Sequence, residues 1–318
     1  MSTASFQNRV SLQKQGFWRY EKLLGNISLD CQIDSLQLQP TPLEKVGDFW
    51  LKREDLSPTH SHKFRSLIYQ ISFLKSKKIS KAVLSSSGNA AISSSYYAKA
   101  AGVKLFTFLS DKTPTEKLAA IQTKNIIPII SIKPLRLAKY AIKHFGLPDL
   151  RPSQDATAVI GFETLGFELF EQNPAIQNIF SFATSFSSLQ GMRKAYKKLL
   201  DMGEIRQLPR FYAVVNDGKL AGELSGHQVD NPVDSFEIVH STDAEILSTR
   251  QHSLSTQLST QISNESVASI AAYLKIKPAG ESVVISTGKL WGNREVDLSK
   301  FHKAESFADV DKIIAQYA

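Results

Sequence analysis

An α/β fold is predicted, built as two three-layer α/β/α units with mostly parallel sheets. Helical and strand-like segments alternate along most of the 318 residues. The strands are separated by helices, an order that implies parallel sheets covered on both faces. A polar stretch over 149–157 (DLRPSQDAT) interrupts the alternation. It divides an N-terminal part, 1–150, from a C-terminal part, 151–318, with a smaller domain expected over about 85–150.

The elements follow in chain order. Phe64, Leu67, Ile68, Ile71 and Leu74 recur at helical spacing and predict a helix over 64–75. Ala82, Val83 and Leu84 form a short buried strand that ends in a Ser-Ser-Ser-Gly-Asn loop, 85–89. An Ala- and Ser-rich helix then runs to Gly102, a suitable residue beyond a helix end. A strand over 103–109 precedes Thr113-Pro114-Thr115-Glu116, which predicts Thr113 as N-cap, Pro114 at N1 and Glu116 closing a capping box. A strand over 126–132 and a helix over 135–145 end at Gly146-Leu147-Pro148. The second half repeats the style, with helices over 162–171 and 189–202 and strands over 178–183 and 211–215. A helix over 265–274, a strand over 283–286 and a helix over 308–317 complete the pattern.

Composition narrows the function classes. Apolar residues make up 42% and charged residues 21%, which excludes a disordered chain or a collagen. One cysteine, Cys31, excludes an internal disulfide and a Cys-rich metal centre. No run reaches ~18 apolar residues, and the N-terminal MSTASFQNRVSLQKQGF has no apolar signal core, so a cytoplasmic protein without membrane contact is expected. The 38 Lys+Arg against 30 Asp+Glu give a charge of +8. These cations are spread over solvated helix faces such as RKAYKK at 193–198, not gathered as nucleic-acid contacts are, and no nucleic-acid partner is expected.

No G-x-G-x-x-G, Walker phosphate loop or G-x-S-x-G elbow occurs. His60-x-His62 lacks a third ligand, so no metal site is expected. Three other features combine. Lys63 opens a helix, where the positive dipole end disfavours a second cation and favours the neutral amine needed for Schiff-base chemistry. The loop 85–89 joins a buried strand to a helix and offers hydroxyls and backbone N–H groups to an anion. Thr184-Ser185-Phe186-Ser187-Ser188 makes a second strand-to-helix cradle of the same kind.

These residues carry a resemblance. LKREDLSPTHSHKFR, 51–65, resembles the lysine motif of fold-type II pyridoxal-phosphate enzymes, and LSSSGNAAISSSYYAKAAG, 84–102, resembles their asparagine loop. Within that superfamily the chain is most similar to the threonine synthases. Gly16-Phe17-Trp18-Arg19-Tyr20 resembles their aromatic N-terminal motif, and Gln39-Pro40-Thr41-Pro42-Leu43 their Thr-Pro-Leu turn. The His62-Lys63 pair is similar instead to tryptophan synthase β chains. Phe64 stands where threonine synthases carry Asp, and the cradle over 184–188 lacks the glycines common in the wider family.

The resemblance implies pyridoxal 5'-phosphate as cofactor, a small amino acid as substrate and a homodimeric assembly. It makes Lys63 the Schiff-base lysine and the acid/base at the substrate α-carbon. Asn89 would hydrogen-bond the cofactor's ring oxygen, and Ser86, Ser87 and Gly88 would hold the substrate carboxylate. Thr184, Ser185, Ser187 and Ser188 would bind the cofactor phosphate. Thr287 or Ser286 would face the pyridine nitrogen, where a hydroxyl gives a weaker electron sink than an aspartate and favours elimination or replacement. The implied reaction is that of a carbon–oxygen lyase of the threonine synthase kind, O-phosphohomoserine and water giving threonine and phosphate. The alternatives are a serine or threonine dehydratase and a β-replacing enzyme of the cysteine synthase or tryptophan synthase β kind. A non-catalytic binding protein that keeps the fold is the alternative of another class.

Overall fold

Two sheets carry the chain, and neither is built from one continuous stretch of sequence. The computed structural model describes residues 5–11, 13–25, 27–33, 39–216, 236–292 and 294–317. Short helices α1 (Phe6–Arg9) and α2 (Glu21–Leu24) precede a hairpin of β1 (Leu43–Val46) and β2 (Phe49–Lys52). Then follow α3 (Lys63–Ser76), β3 (Lys81–Ser85), α4 (Asn89–Tyr97), β4 (Lys104–Ser110), α5 (Thr115–Ala120), β5 (Ile127–Ser131) and α6 (Pro134–Phe145). The second half runs through α7 (Ala156–Gln172), β6 (Ile176–Phe182), α8 (Ser187–Asp201), β7 (Arg210–Asn216), β8 (Glu237–Ser241), α9 (Asp243–His252) and α10 (Thr256–Gln261). It ends in α11 (Asn264–Ile276), β9 (Glu281–Ile285), β10 (His302–Lys303) and α12 (Phe307–Ala315).

Among the described residues the larger sheet has the order β1-β2-β9-β6-β7-β8 and the smaller β10-β5-β4-β3. Every pairing is parallel except that of the β1–β2 hairpin. Strand residues alternate between two cores, as a pleat with both faces covered requires. In β6, Ile179 packs with Leu165, Leu189 and Leu199 of α7 and α8, while Phe180 and Phe182 pack with Val267 and Ile270 of α11 on the other face. In β4, Leu105 and Leu109 join the first of these cores, and Phe106 and Phe108 face Leu137 of α6 and Ile313 of α12. The α/β class, the three-layer arrangement and the mostly parallel sheets are as the sequence predicts.

The expected break at 149–157 falls between α6 and α7, yet the sheets do not follow it. β1 and β2 join the strands of the second half, and β10 returns to pair with β5. The capping box expected at Thr113 is corrected. The N-cap is Pro114, with φ −56° and ψ 138°, and the Thr113 hydroxyl instead donates to Ser110 O at 2.6 Å, closing the preceding turn. Gly102 and Gly146 end their helices in the left-handed region, at φ +68° and +62°, as expected of residues beyond a helix end. No helix of the described residues is long and apolar enough to cross a membrane.

Candidate active site

The C-terminal ends of β3, β6 and β9 open onto one cavity of about 240 Å³. Such a crevice beyond strand ends is where open α/β sheets bind ligands. Lys63, the first residue of α3, lines it, with Nζ 5.5 Å from the centroid of the Phe162 ring. The His62 ring stacks on the same phenyl group at 5.4 Å. The peptide before α3 is sewn to the segment after β9. His62 N donates to Thr287 O at 3.1 Å, Lys289 N donates to His60 O at 3.0 Å, and Ser61 bridges Gly288. His62 Nδ1–H also donates to Thr287 O, at 2.8 Å, which fixes its tautomer. Burial first, then the charge on Lys63, holds the His62 pKa down to about 3, so the imidazole beside the lysine is neutral.

A buried ionic cluster lies under the start of α3. Arg65 donates to both Glu54 oxygens at 2.8 Å and to Glu168 Oε1 at 2.9 Å. Lys52 Nζ donates to Glu168 Oε1 at 2.5 Å, Thr41 O at 2.7 Å and Gln172 Oε1 at 2.7 Å. Burial alone would raise the Glu168 carboxyl, but Arg65 and Lys52 outweigh it and hold it well below the usual carboxylate range. Two carboxylates against two cations leave the cluster neutral, so β2, α3 and α7 are pinned without an unpaired buried charge. Gly161 brings α7 closer still, since a Cβ there would lie 2.4 Å from Arg65 O.

The predicted site residues divide. Ser86, Gly88, Asn89, Thr184, Ser185, Ser188 and Thr287 line the cavity with Lys63. Ser87, Ser187 and Ser286 do not. Ser87 Oγ accepts from Ser110 N at 2.7 Å, and Ser187 Oγ donates to Pro152 O at 2.7 Å. Ser286 is buried and donates to Ser266 Oγ at 3.3 Å. Of the two hydroxyls proposed for the pyridine nitrogen, Thr287 is therefore the one on the cavity wall. The N-terminal motifs lie elsewhere: Trp18 Nε1 donates to Ile33 O at 3.0 Å and its ring packs near Tyr69 of α3, while Thr41 belongs to the ionic cluster. Among the described residues no cluster of possible metal ligands occurs.

Phe186 takes, in the glycine-free loop over 184–188, a backbone geometry usual for glycine. It adopts φ +56° and ψ −8° as N-cap of α8, the left-handed geometry that glycine adopts without strain. Its ring is buried and packs 5.8 Å from that of Phe236, which holds the backbone there. The first-turn N–H groups of α8 have no helical acceptors, and the helix starts at the wall that Thr184, Ser185, Phe186 and Ser188 line. Sequence reasoning missed Lys117 of α5 and Glu265 of α11 as wall residues. The signal for Lys117 was its place just beyond β4, on the strand-end side; Glu265 had none, because the pairing of α11 with the end of β9 is long-range.

Pyridoxal phosphate fits these residues. An amine, a carboxamide and a helix N-terminus meet in one cavity, and Gly288 leaves Asn89 room that a Cβ, 2.6 Å from Nδ2, would take. The sequence profile of a family described as pyridoxal-phosphate dependent enzymes matches residues 35–286. The biosynthetic L-threonine dehydratase IlvA of Haemophilus influenzae is 33% identical over 93 residues, covering 26% of this chain and 18% of that protein. The same enzyme of Lactococcus lactis is 28% identical over 146 residues, 43% of this chain and 35% of that protein. The matches thus span well under two thirds of these curated relatives. Maize serine racemase has the same fold, with a TM-score of 0.66 at 17% identity, over 88% of this chain and 94% of that one.

Proposed function

This chain belongs to the pyridoxal-phosphate dependent enzyme family, and from that premise we propose that it dehydrates a small β-hydroxy amino acid, L-serine or L-threonine. The inventory of cations in the cavity carries this reading. Besides Lys63, Lys117 is the one Lys or Arg on its wall among the described residues. One ammonium and the loop with Ser86 and Gly88 suit a single α-carboxylate. O-phosphohomoserine would bring a second anion and call for a further basic group. The similarity to threonine dehydratases supports the same choice.

Bound pyridoxal phosphate supplies the electron sink that loosens the substrate Cα–H bond. Lys63 holds the cofactor through its amine, then accepts the Cα proton at Nζ and delivers it to the hydroxyl leaving from Cβ as water. Asn89 would donate a hydrogen bond to the ring oxygen. Thr184, Ser185, Ser188 and the α8 amides bind the phosphate. His62, neutral and immobilised against Phe162 and Thr287, adds no competing charge beside the lysine.

Threonine synthase chemistry is the second reading, favoured by the Gly16-Phe17-Trp18-Arg19-Tyr20 motif and the Gln39-Pro40-Thr41-Pro42-Leu43 turn. Its lysine would move protons among Cα, Cβ and Cγ while phosphate leaves. Both readings take a cytoplasmic homodimer as the working form; sedimentation of the purified protein tests the dimer. The first experiment is the visible spectrum of wild-type and Lys63→Ala protein after loading with pyridoxal phosphate. A Schiff-base band in wild type alone, fixed onto Lys63 by borohydride, is expected. No band would overturn the enzyme reading and leave a binding protein. Production of 2-oxo acid from threonine or serine supports dehydration; phosphate release from O-phosphohomoserine with threonine formed supports the synthase instead.

A further inference from the structure

The cavity wall that carries Thr287 also carries a carboxylate, Glu265, to which the sequence reading gives no role. Glu265 is the second residue of α11, whose N-cap is Ser263. Its turn is tied to the end of β9 by several hydrogen bonds. Ser263 N donates to Gly288 O at 2.8 Å, Gly288 N donates to Ser266 Oγ at 3.4 Å, and Ser286 Oγ donates to Ser266 Oγ at 3.3 Å. Glu265 and Thr287 therefore stand on two segments locked side by side.

Among the described residues the half-buried Glu265 side chain makes no hydrogen bond and no ion pair. It is also the one carboxylate on the wall of this cavity among those residues. A carboxylate partly removed from water and facing a ligand cavity is compensated best by a cationic ligand atom. Of the charged and titratable groups around it, none lies within ion-pair distance among the described residues. Lys63 and Lys117 come from α3 and α5, and His62 is neutral. Arg250 of α9 attracts the Glu265 carboxylate from outside this cavity, without an ion-pair contact, while its guanidinium donates to Ile262 O at 3.1 Å and to Asn264 Oδ1 at 2.9 Å.

We infer that Glu265, with Thr287 beside it, is the partner of the cofactor's pyridine nitrogen. It accepts a hydrogen bond from the protonated ring nitrogen, the proton coming from solvent as the cofactor enters. The inference rests on the cofactor placement proposed above. It replaces the weak electron sink expected from a hydroxyl alone with a ring held cationic by an adjacent carboxylate. The consequence is a longer-lived negative charge at the substrate α-carbon, and with it exchange of the α-proton alongside elimination.

The test loads the protein with pyridoxal phosphate carrying ¹⁵N in the ring and reads the nitrogen shift by NMR. A pyridinium signal is expected in wild type and Glu265→Asp, and a neutral-pyridine signal in Glu265→Gln. A neutral ring in wild type, or a pyridinium signal unchanged in Glu265→Gln, overturns the inference while leaving the cofactor assignment intact. If Glu265→Gln fails to fold, Glu265→Ala serves in its place, with the same two outcomes. A protein that takes up no cofactor overturns both.

Discussion

Gly288 and Asn89 meet across the gap between the two sheets, in a space too small for a methyl group. A Cβ on Gly288 would lie 2.6 Å from Asn89 Nδ2. Asn89 opens α4 beyond the smaller sheet, and Gly288 follows β9 of the larger one. Gly288→Ala should displace the carboxamide and lower pyridoxal-phosphate affinity by about tenfold, or ~1.4 kcal/mol. Titration of the apoprotein followed by fluorescence measures it; unchanged affinity would show that Asn89 relaxes without cost.

Phe186 should reveal its backbone strain by comparison of two variants. Both Phe186→Ala and Phe186→Gly lose the buried ring, at about 3–5 kcal/mol. Only glycine relieves the left-handed geometry, so Phe186→Gly should be the more stable of the two by about 0.5–1 kcal/mol. Urea unfolding resolves the order.

His62 should couple stability to pH. Its ordinary pKa of 6.5 applies to the unfolded chain and about 3 to the folded one. Between those values the unfolded state binds the extra proton, so this contribution is full above pH 6.5 and is lost as pH falls toward 3. The slope approaches about 1.4 kcal/mol per pH unit within that window. In His62→Gln, which can still donate to Thr287 O, unfolding free energies measured across the window should lose this component.

Arg65 should be the most costly of the four buried charges to remove. Arg65→Met leaves Glu54 and Glu168 with only Lys52 between them, and should destabilise the fold by about 3–5 kcal/mol. Arg65→Lys, unable to serve both carboxylates in the same fork, should recover only part of that loss. Denaturation midpoints for the three proteins settle the ranking.

Much of the site was legible because its parts are local. Lys63 with its helix, the loop ending at Asn89 and the cradle around Ser188 each show in a short run of residues, and each sits at a strand-to-helix junction. What was not legible depends on partners distant in sequence. Ser87, Ser187 and Ser286 look like their neighbours but are taken by Ser110, Pro152 and Ser266. The elements β8 and α9 went unread because Glu237–Ser241 lacks a continuous apolar run: its side chains are mostly exposed at this sheet edge. The left-handed Phe186 could not be anticipated either, since a ring buried against Phe236 outweighs what the backbone alone prefers.

The middle position of β9 also sets an order of assembly. Trp50 and Phe180 both pair with this strand, at Val283 and Val284, yet it is synthesised after every other strand of its sheet. Until it emerges, β2 and β6 each present an unpaired edge, and the nascent chain holds two half-sheets that cannot close. Contacts so distant in sequence slow folding. A nascent chain stalled before residue 281 would thus carry Lys63 and both anion cradles, but would lack the central strand that brings them to face one another.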